Sequence, residues 1–360
     1  MPKMQINKDA RKGNLTMKTT HKLLSICLSL CIFFTCMVGI KVPTAAAEET
    51  TPASTTATDD PVIIVSLGDS YSSGEGIEPF IGQQENGQDR DITERVQSLD
   101  WLAHRSTKAW SGMLTSDKWY FAAASGAKIE HLTEKQTKSY VFNGETLETS
   151  LPAQLDIFNG LSLTDNDYVT ITIGGNDIGF VDILTIALNP FDSSLDTKIN
   201  DALVNFDKKI SVELKTAYKA IADISGDATI LVVGYPRLLS EDGFTFTAYV
   251  KQLGMNMDLT ISDERAQTLN QGIDDFNTRL SYLVNECSQE GMNIVFVPVA
   301  DSFEGYEAYT GDAYVNGYIL GKQSQDLTGD EHSTSSYSFH PNEKGAAAYA
   351  KAVQDKDRSD

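Results

Sequence analysis

The sequence contains few cysteines, and they are unevenly placed. Four occur in 360 residues, at positions 27, 31, 36 and 287, and the first three lie within one apolar stretch near the start. Loss of that stretch would leave Cys287 alone, which excludes disulfides within the remaining chain. Cys287 falls in a helical pattern, where we expect a small buried side chain. No group of cysteines and histidines has the sequence spacing that is typical of metal ligands. We expect neither a metal nor an organic cofactor.

Basic residues are also scarce. The chain has 29 Lys and Arg against 50 Asp and Glu, for a formal net charge of −21. Residues 1–47 hold seven of the basic residues and one acidic residue, so the chain without them would carry −27. Nucleic acids and anionic membranes both favour clustered Lys and Arg, and the charge therefore argues against either as the main partner. It is typical of a protein that is soluble outside the cell.

Residues 1–47 have the layout of a secretory signal. A basic segment precedes an apolar run at 23–40, and three alanines at 45–47 precede Glu48. We predict a signal peptide at 1–47 and a secreted protein. The run is somewhat long for a cleaved signal, so an uncleaved leader that anchors the chain in the membrane is the alternative. Residues 48–60, rich in Ala, Thr, Ser and Pro, are predicted to be a disordered linker, and the folded domain is expected at 61–356.

Five short apolar runs in this domain predict buried strands. The first begins at Val62 and stops at Gly68, and the others lie at 119–122, 168–173, 229–233 and 293–297. Apolar residues at three- and four-residue intervals predict helices between and after them, at 101–114, 178–188, 199–224 and 262–287. Strands alternating with helices favour right-handed crossovers and one parallel sheet. The predicted fold is a three-layer α/β/α domain with a flavodoxin-like, five-stranded parallel sheet.

Three segments are too long to be simple connections, at 75–96, 236–259 and 301–339. Such loops in a compact domain are usually lids, binding loops or mobile surface. The last contains Tyr306, Tyr309, Tyr314 and Tyr318. These tyrosines could line a substrate groove or pack the loop onto the domain, and the sequence does not decide between the two.

Ser70 is the candidate nucleophile. It follows the turn at Gly68 and Asp69, where the first strand should end at the carboxyl edge of the sheet. Open α/β sheets bind their ligands along that edge, and a serine there presents both its hydroxyl and its own N–H. Asp69 and Ser70 are also good helix caps, which is the alternative interpretation. A hydroxyl is a weak nucleophile at neutral pH, so the catalytic interpretation requires a base and an oxyanion site elsewhere.

Two further strand ends offer hydrogen-bond donors for an oxyanion. The second predicted strand is followed by Ser-Gly-Ala at 125–127, and the third by Gly-Gly-Asn-Asp at 174–177. Gly126 lets backbone approach a ligand, and Asn176 offers an uncharged amide. The N–H groups of Ser70 and Gly126 and the side chain of Asn176 could therefore converge on one oxygen. A tight turn at Gly126 and a helix cap at Asn176 are the alternatives, and Asp177 is predicted to cap the next helix.

His340 is the candidate base among five histidines. His21 belongs to the leader, while His104 and His131 lie beside charged residues where structural or exposed roles are expected. His332 lies in a polar loop. His340 precedes Pro341 and an alanine-rich helical stretch, and proline suits a first helical position. This places the imidazole at a helix start on the same edge of the sheet.

These residues, in this order and spacing, resemble the four sequence blocks of the SGNH hydrolases, also called GDSL esterases or lipases. The blocks are Gly-Asp-Ser at 68–70, Gly126, Gly-Gly-Asn-Asp at 174–177 and His-Pro at 340–341, and the resemblance runs over 62–353. The sequence around these blocks is most similar to that of secreted lipases and esterases of the actinobacterial type. The resemblance implies Ser70 as nucleophile, His340 as base, and Ser70, Gly126 and Asn176 as the oxyanion hole.

The chain departs from this family pattern at two points. The family usually has aspartate three residues before the histidine, whereas position 337 is tyrosine. Some relatives use a main-chain carbonyl there, so we assign that role to the carbonyl of Tyr337, which leaves a Ser-His dyad. A carboxylate from Asp330 or Glu331 is the alternative. Disulfides that are common in the secreted relatives are also missing, so the loop architecture of those relatives is not carried over to this chain.

The function predicted from these residues is a secreted serine esterase or lipase that forms an acyl-enzyme on Ser70. The common α/β-hydrolase elbow is disfavoured because position 72 is serine, where Gly-x-Ser-x-Gly requires glycine. The expected partner is a small ester, a lipid or an acylated polysaccharide, and a monomer is expected. A carbohydrate acetyl esterase with the same catalytic residues and a non-catalytic surface binding protein are the alternative functions.

Overall fold

In a computed structural model of the protein, the described residues are 61–82, 98–142, 145–250, 253–320 and 332–357. The predicted leader and linker lie outside them. No helix within these ranges combines the length and apolar character needed to cross a bilayer. The strands are β1 (Ile63–Gly68), β2 (Lys118–Phe121), β3 (Gln136–Phe142), β4 (Glu145–Leu151), β5 (Tyr168–Thr172), β6 (Thr229–Val233), β7 (Phe244–Val250), β8 (Met255–Ile261) and β9 (Ile294–Val297). The helices are α1 (Ser70–Ser73), α2 (Leu99–Leu102), α3 (Phe180–Ala187), α4 (Leu195–Asn205), α5 (Ser211–Ile224), α6 (Asp263–Gln289) and α7 (Glu343–Asp357).

The five predicted strands form one parallel sheet in the order β2-β1-β5-β6-β9. This is the predicted flavodoxin-like order, in which β1 lies between its successor and a later strand. β1 and β5 are almost wholly buried, as their apolar residues on both faces require. The strand order reverses at β1, so the crevice where such sheets bind ligands lies at its carboxyl end.

Helices cover the sheet in two groups and complete the three-layer α/β/α fold. α4 and α5, joined through a π-helical turn at Phe206–Ile210, pack against α6. α7 packs against the 3₁₀ helices Trp110–Met113 and Ala300–Phe303. The predicted helices at 178–188, 199–224 and 262–287 are confirmed, with ends shifted by a few residues. α6 buries an apolar stripe that ends at Cys287, which is buried as expected.

The predicted helix at 101–114 is wrong. Its residues form α2 and the 3₁₀ helix Trp110–Met113 instead, and His104 between them adopts a left-handed φ of 52° that ends α2. The chain is bent here because Arg105 donates to the carbonyls of Ala122 and Ala123 at 2.9 and 2.8 Å. The apolar spacing at 101–114 therefore arises from the burial of Trp101 and Trp110, and not from one continuous helix.

Among the described residues, two antiparallel hairpins lie outside the parallel sheet, and neither was predicted. β3 pairs with β4 ahead of β5, and β7 pairs with β8 at 244–261, which overlaps the long segment 236–259. Strand β3 and the hairpin β7–β8 each reach the site described below.

Candidate active site

Ser70 lies directly after β1, at the carboxyl edge of the sheet. β1 ends at Gly68, where φ is 118° and an added Cβ would lie 2.2 Å from the carbonyl oxygen of Thr172 on β5. Only glycine allows the two backbones to approach this closely. Asp69 then caps the one-turn helix α1 by accepting a hydrogen bond from the N–H of Tyr71 at 3.0 Å. Ser70 begins that helix and its hydroxyl is left for the cleft.

Asp69 anchors this turn through a buried hydrogen-bond network. Its carboxyl accepts from the hydroxyl groups of Thr172 at 2.7 Å and Tyr235 at 2.5 Å. Burial raises the pKa of Asp69 to about 6, against the effect of these hydrogen bonds. The Tyr235 hydroxyl also accepts from the N–H of Gly175 at 3.2 Å. Asp69 and Tyr235 therefore tie the turn that carries Ser70 to the turn that carries Asn176, a link that the sequence did not reveal.

His340 contacts the proposed nucleophile directly, with its Nε2 at 2.8 Å from the Ser70 Oγ. Tyr71 supports this geometry because its ring packs against the imidazole, 5.0 Å between centroids, and its hydroxyl donates to the carbonyl of Phe339 at 3.0 Å. Burial lowers the pKa of His340 below 6.5, so the ring is neutral at pH 7 and able to accept a proton. Pro341, expected to begin the helix, forms an isolated bridge with Val315, and α7 begins at Glu343.

The prediction that the carbonyl of Tyr337 orients this ring is wrong. The Nδ1 of His340 faces the carbonyl of Ser338 at 3.2 Å, while the Tyr337 carbonyl accepts from the main-chain N–H of His340, also at 3.2 Å. The reason is a tight turn in which Phe339 adopts a left-handed φ of 60°. In this turn the Tyr337 carbonyl faces the main-chain N–H of His340, and the Ser338 carbonyl faces the imidazole. Asp330 and Glu331, the alternative orienting groups, lie outside the described residues.

Glu75 is a carboxylate at the site that sequence reasoning missed. It is buried, accepts from the Ser336 hydroxyl at 2.7 Å, and contacts the Nδ1 of His104 at 2.5 Å. Burial alone would raise its pKa, but His104, His340 and the Ser125 hydroxyl lower it to about 2. Its negative charge in turn favours the protonated form of His340. A carboxylate in this position can stabilise an imidazolium without contacting it.

The main-chain N–H groups of Ser70 and Gly126, at this edge, have no acceptor among the described residues. The neighbouring N–H groups are all engaged, since Asp69 donates to Thr172, Ser125 to Ala103 and Ala127 to Ala124. Gly126 has a φ of 70°, which glycine tolerates and other residues rarely adopt. Both unengaged groups belong to residues of the cleft that holds the Ser70 hydroxyl. They are the donors that an oxyanion would require.

Asn176 adds a third donor to this cleft. Its amide nitrogen donates one hydrogen to the carbonyl of Ala127 at 2.8 Å, which fixes the side chain and leaves the second hydrogen available. Asp177, predicted to cap the next helix, does not do so. Gly179 precedes the first residue of α3, and the Asp177 carboxylate accepts from the N–H of Ile129 at 3.2 Å. The turn between β5 and α3 is longer than expected. Asp177 therefore binds the first residue of the 3₁₀ helix Ile129–Leu132 and not the start of α3.

The four residues Ser70, Gly126, Asn176 and His340 line one cleft of about 430 Å³. Most of the apolar lining beyond them comes from two elements. Helix α3 and the residue after it supply Phe180, Val181, Leu184 and Leu188, and the hairpin β7–β8 supplies Tyr249, Val250 and Leu259. The cleft thus combines the polar reactive groups with an apolar surface against which a hydrocarbon chain could lie.

The loop tyrosines mostly pack the loop. Tyr306 stacks on Tyr314 with ring centroids 4.1 Å apart, and Tyr309 stacks on Phe244 at 4.0 Å. Only Tyr318 of the four lines the cleft. Among the described residues, no cluster of three or more His, Cys, Asp or Glu has an arrangement suited to a metal ion.

Comparison with known proteins agrees with this arrangement. Residues 64–353 match the family model for GDSL-like lipase/acylhydrolase. Lipase 1 of Streptomyces coelicolor is 27% identical over 256 residues, covering 70% of this chain and 75% of that protein. A lipase of Streptomyces rimosus is 26% identical over 260 residues, covering 71% and 76%.

Solved structures show the same fold at lower identity. The extracellular lipase of Streptomyces rimosus superimposes with a TM-score of 0.55 at 21% identity, covering 82% of this chain and 99% of that one. Phospholipase A1 of Streptomyces albidoflavus superimposes with a TM-score of 0.54 at 20% identity, covering 82% and 100%.

Proposed function

Because the chain belongs to the GDSL-like lipase/acylhydrolase family and is therefore a carboxylic ester hydrolase, we propose that Ser70 is its nucleophile and His340 its base. The Ser70 and Gly126 N–H groups and the Asn176 amide form the oxyanion hole. The observation that carries the proposal is the 2.8 Å contact between the His340 Nε2 and the Ser70 Oγ, beside two main-chain N–H groups without acceptors. Nucleophile, base and donors all line one cleft, which supports their acting on the same carbonyl group.

The reaction proceeds in two halves. The Nε2 of His340 takes the Ser70 proton as the serine oxygen bonds to the ester carbonyl carbon, and the carbonyl oxygen becomes an anion held by the three donors. The tetrahedral species collapses, the ester C–O bond breaks, and the leaving alcohol takes the proton from Nε2. Water then attacks the acyl carbon as Nε2 takes one of its protons. The bond between the acyl carbon and the Ser70 oxygen breaks, the acid leaves, and Nε2 returns the proton to the Ser70 oxygen. The Ser338 carbonyl holds the other ring nitrogen, and Glu75 favours the transient imidazolium.

A fluorophosphonate tests the proposal directly. The protein recovered from culture medium should gain one adduct, located on Ser70 by peptide mass spectrometry, and lose ester turnover in proportion. Ser70→Ala should gain none. Secretion follows from the predicted leader and accords with the extracellular lipase of Streptomyces rimosus; the intact mass of the same sample reports whether residues 1–47 are gone. Labelling elsewhere, or undiminished turnover by Ser70→Ala, would refute the assignment. A wild-type protein with neither labelling nor turnover would instead be the non-catalytic binding protein.

The apolar wall of the cleft favours a lipid or acyl ester as the substrate. A hydrocarbon chain can lie against Leu184 and Leu188 of the α3 segment and Val250 and Leu259 of the hairpin. The names of the Streptomyces relatives, two lipases and a phospholipase A1, accord with this choice. A carbohydrate acetyl esterase is the second candidate, because Tyr249 and Tyr318 also line the cleft and aromatic rings stack on sugars.

A panel of p-nitrophenyl esters of graded acyl length, alongside acetylated xylan, separates the two candidates. We expect kcat/KM to rise from acetate to medium-length chains, by about tenfold for every two methylenes buried, since each contributes about 0.8 kcal/mol. Acetate release from xylan should be slow. A maximum at the acetyl ester together with rapid xylan deacetylation would favour the carbohydrate esterase instead.

A further inference from the structure

The carbonyl of Ser125 is held by two side chains of strand β3. Gln136 donates to it from its Nε2 at 2.9 Å, and Lys138 donates from its Nζ at 2.5 Å. Gln136 and Lys138 are two positions apart, so they project from the same face of the strand. Gln136 is buried and Lys138 is half-buried. One carbonyl therefore receives two donors, one of them cationic, from a hairpin that contributes nothing to the parallel sheet.

The carbonyl matters because of the peptide group to which it belongs. Its carbon is bonded to the nitrogen of Gly126, and in a trans peptide the C=O and N–H point in opposite directions. The two β3 side chains therefore fix the direction of the Gly126 N–H. The Gly126 N–H has no acceptor among the described residues, and Gly126 lines the catalytic cleft. A tilt of this peptide plane would turn the donor away from the substrate oxygen.

We propose that Lys138 and Gln136 are positioning residues for the oxyanion hole, which orient and polarise the Gly126 N–H through the Ser125 carbonyl. The proposal rests on the proposed function, because it assigns that N–H to the oxyanion. Hydrogen bonds in a chain strengthen one another, and a cation on the carbonyl draws electron density from the amide. The Gly126 N–H then becomes a better donor at the moment when negative charge develops on the substrate.

The charge on Lys138 is sensitive to pH. Burial lowers its pKa to about 8, the Glu75 carboxylate acts to raise it, and the Arg105 guanidinium lowers it further. His131, in the 3₁₀ helix after Gly126, also interacts with this charge. The cation is present below pH 8 and is lost as the pH rises through that value. The proposed polarisation should be lost over the same range.

The test compares Lys138→Met, Lys138→Arg and Gln136→Leu with wild type, using p-nitrophenyl butyrate from pH 6 to 10. Lys135→Met is the matched control, because Lys135 is exposed on the same segment. At pH 7, Lys138→Met should lose about tenfold in kcat with KM nearly unchanged, since it weakens one oxyanion donor without removing it. A boronic acid that mimics the tetrahedral intermediate should bind about tenfold more weakly, while product acid binds equally.

The pH profiles separate positioning from a structural role. Wild-type kcat should decline as the pH rises through about 8, and Lys138→Met should lack that decline. Lys138→Arg, which stays charged, should keep wild-type kcat at pH 7 and hold it to pH 10. Gln136→Leu should lower kcat but retain the alkaline decline.

Two results would overturn the proposal: wild-type kcat in Lys138→Met, or an alkaline decline that persists unchanged in Lys138→Arg. Near-ultraviolet circular dichroism would reveal whether Lys138→Met fails to fold. In that case the pH profiles of kcat for wild type and Lys138→Arg still test the proposal. A wild-type enzyme whose turnover does not depend on Ser70 would instead refute the proposed function.

Discussion

Replacement of His340 by alanine should lower kcat for p-nitrophenyl butyrate by a factor on the order of 10⁴ to 10⁶. The Ser70 hydroxyl has a proton acceptor in the Nε2 of His340 at 2.8 Å, and without it the oxygen stays a weak nucleophile. The residual rate should come from the oxyanion hole and substrate binding alone. Stopped-assay kinetics on purified variants at pH 8 would measure the loss, with KM expected to change little.

Tyr337→Phe is the matched control for this experiment. Its hydroxyl donates to the Glu78 carboxylate at 2.8 Å, and the side chain is not part of the cleft wall. Its main-chain carbonyl, which the substitution leaves in place, bonds to the backbone of His340 and not to the imidazole. We expect kcat within about twofold of wild type. A loss in Tyr337→Phe comparable to that in His340→Ala would mean that the phenol takes part in the chemistry.

The wild-type pH profile provides a second measure of the same group. His340 acts as a base, so activity requires the neutral ring and is lost as the pH falls through its pKa. Burial lowers this pKa below 6.5, although Glu75 acts to raise it. The acidic limb of kcat/KM should therefore have its midpoint below 6.5, and it should be absent from the residual activity of His340→Ala. A midpoint well above 6.5 would contradict the assignment.

The parallel sheet and the reactive groups were predictable because their signals are local. A buried parallel strand must be apolar on both faces, and a strand end that approaches a ligand or a neighbouring backbone requires glycine. Gly68 ends β1, and Gly126 lies in the turn after β2, for this reason. Since all five strands run in one direction, their ends had to meet at one edge. Ser70, Gly126, Asn176 and His340 accordingly line one cleft.

The hydrogen-bond partners around those groups were not predictable in the same way. The choice between the Tyr337 and Ser338 carbonyls depends on the left-handed φ of Phe339, which a non-glycine residue gives no reason to expect. Glu75 follows the first block by five positions, but its role depends on contacts with His104 and Ser336 that arise from packing. Tyr235 reaches Asp69 from the end of β6 for the same reason.

The two hairpins differ in how far they could have been found. β7 alternates Phe, Thr, Phe, Thr, Ala, Tyr and Val, a period-2 pattern that predicts a half-buried strand. The pattern stands inside a long segment whose other residues are typical of a loop. β3 contains Gln136 and Lys138 where an ordinary strand would bury apolar residues. Their polarity is explained by the Ser125 carbonyl they bind, and only the folded chain shows that contact.

Asn176→Ala should lower kcat by a factor on the order of 10² to 10³, with KM changed by less than a few fold. The amide holds its place by donating to the Ala127 carbonyl at 2.8 Å, and its second hydrogen is available for the oxyanion. That bond is made fully only when the substrate oxygen carries negative charge, so its loss should appear in kcat and kcat/KM equally. Steady-state kinetics on p-nitrophenyl butyrate would measure both.

Asp177→Asn separates the lost donor from damage to the turn. Asp177 is the next residue, and its carboxylate accepts from the N–H of Ile129 outside the catalytic cleft. An asparagine there can still accept that bond, so kcat should stay within a few fold of wild type. Asn176→Ala should also retain fluorophosphonate labelling of Ser70, more slowly, because nucleophile and base remain in contact. Equal losses in the two variants would mean that the turn, and not an oxyanion donor, explains the effect.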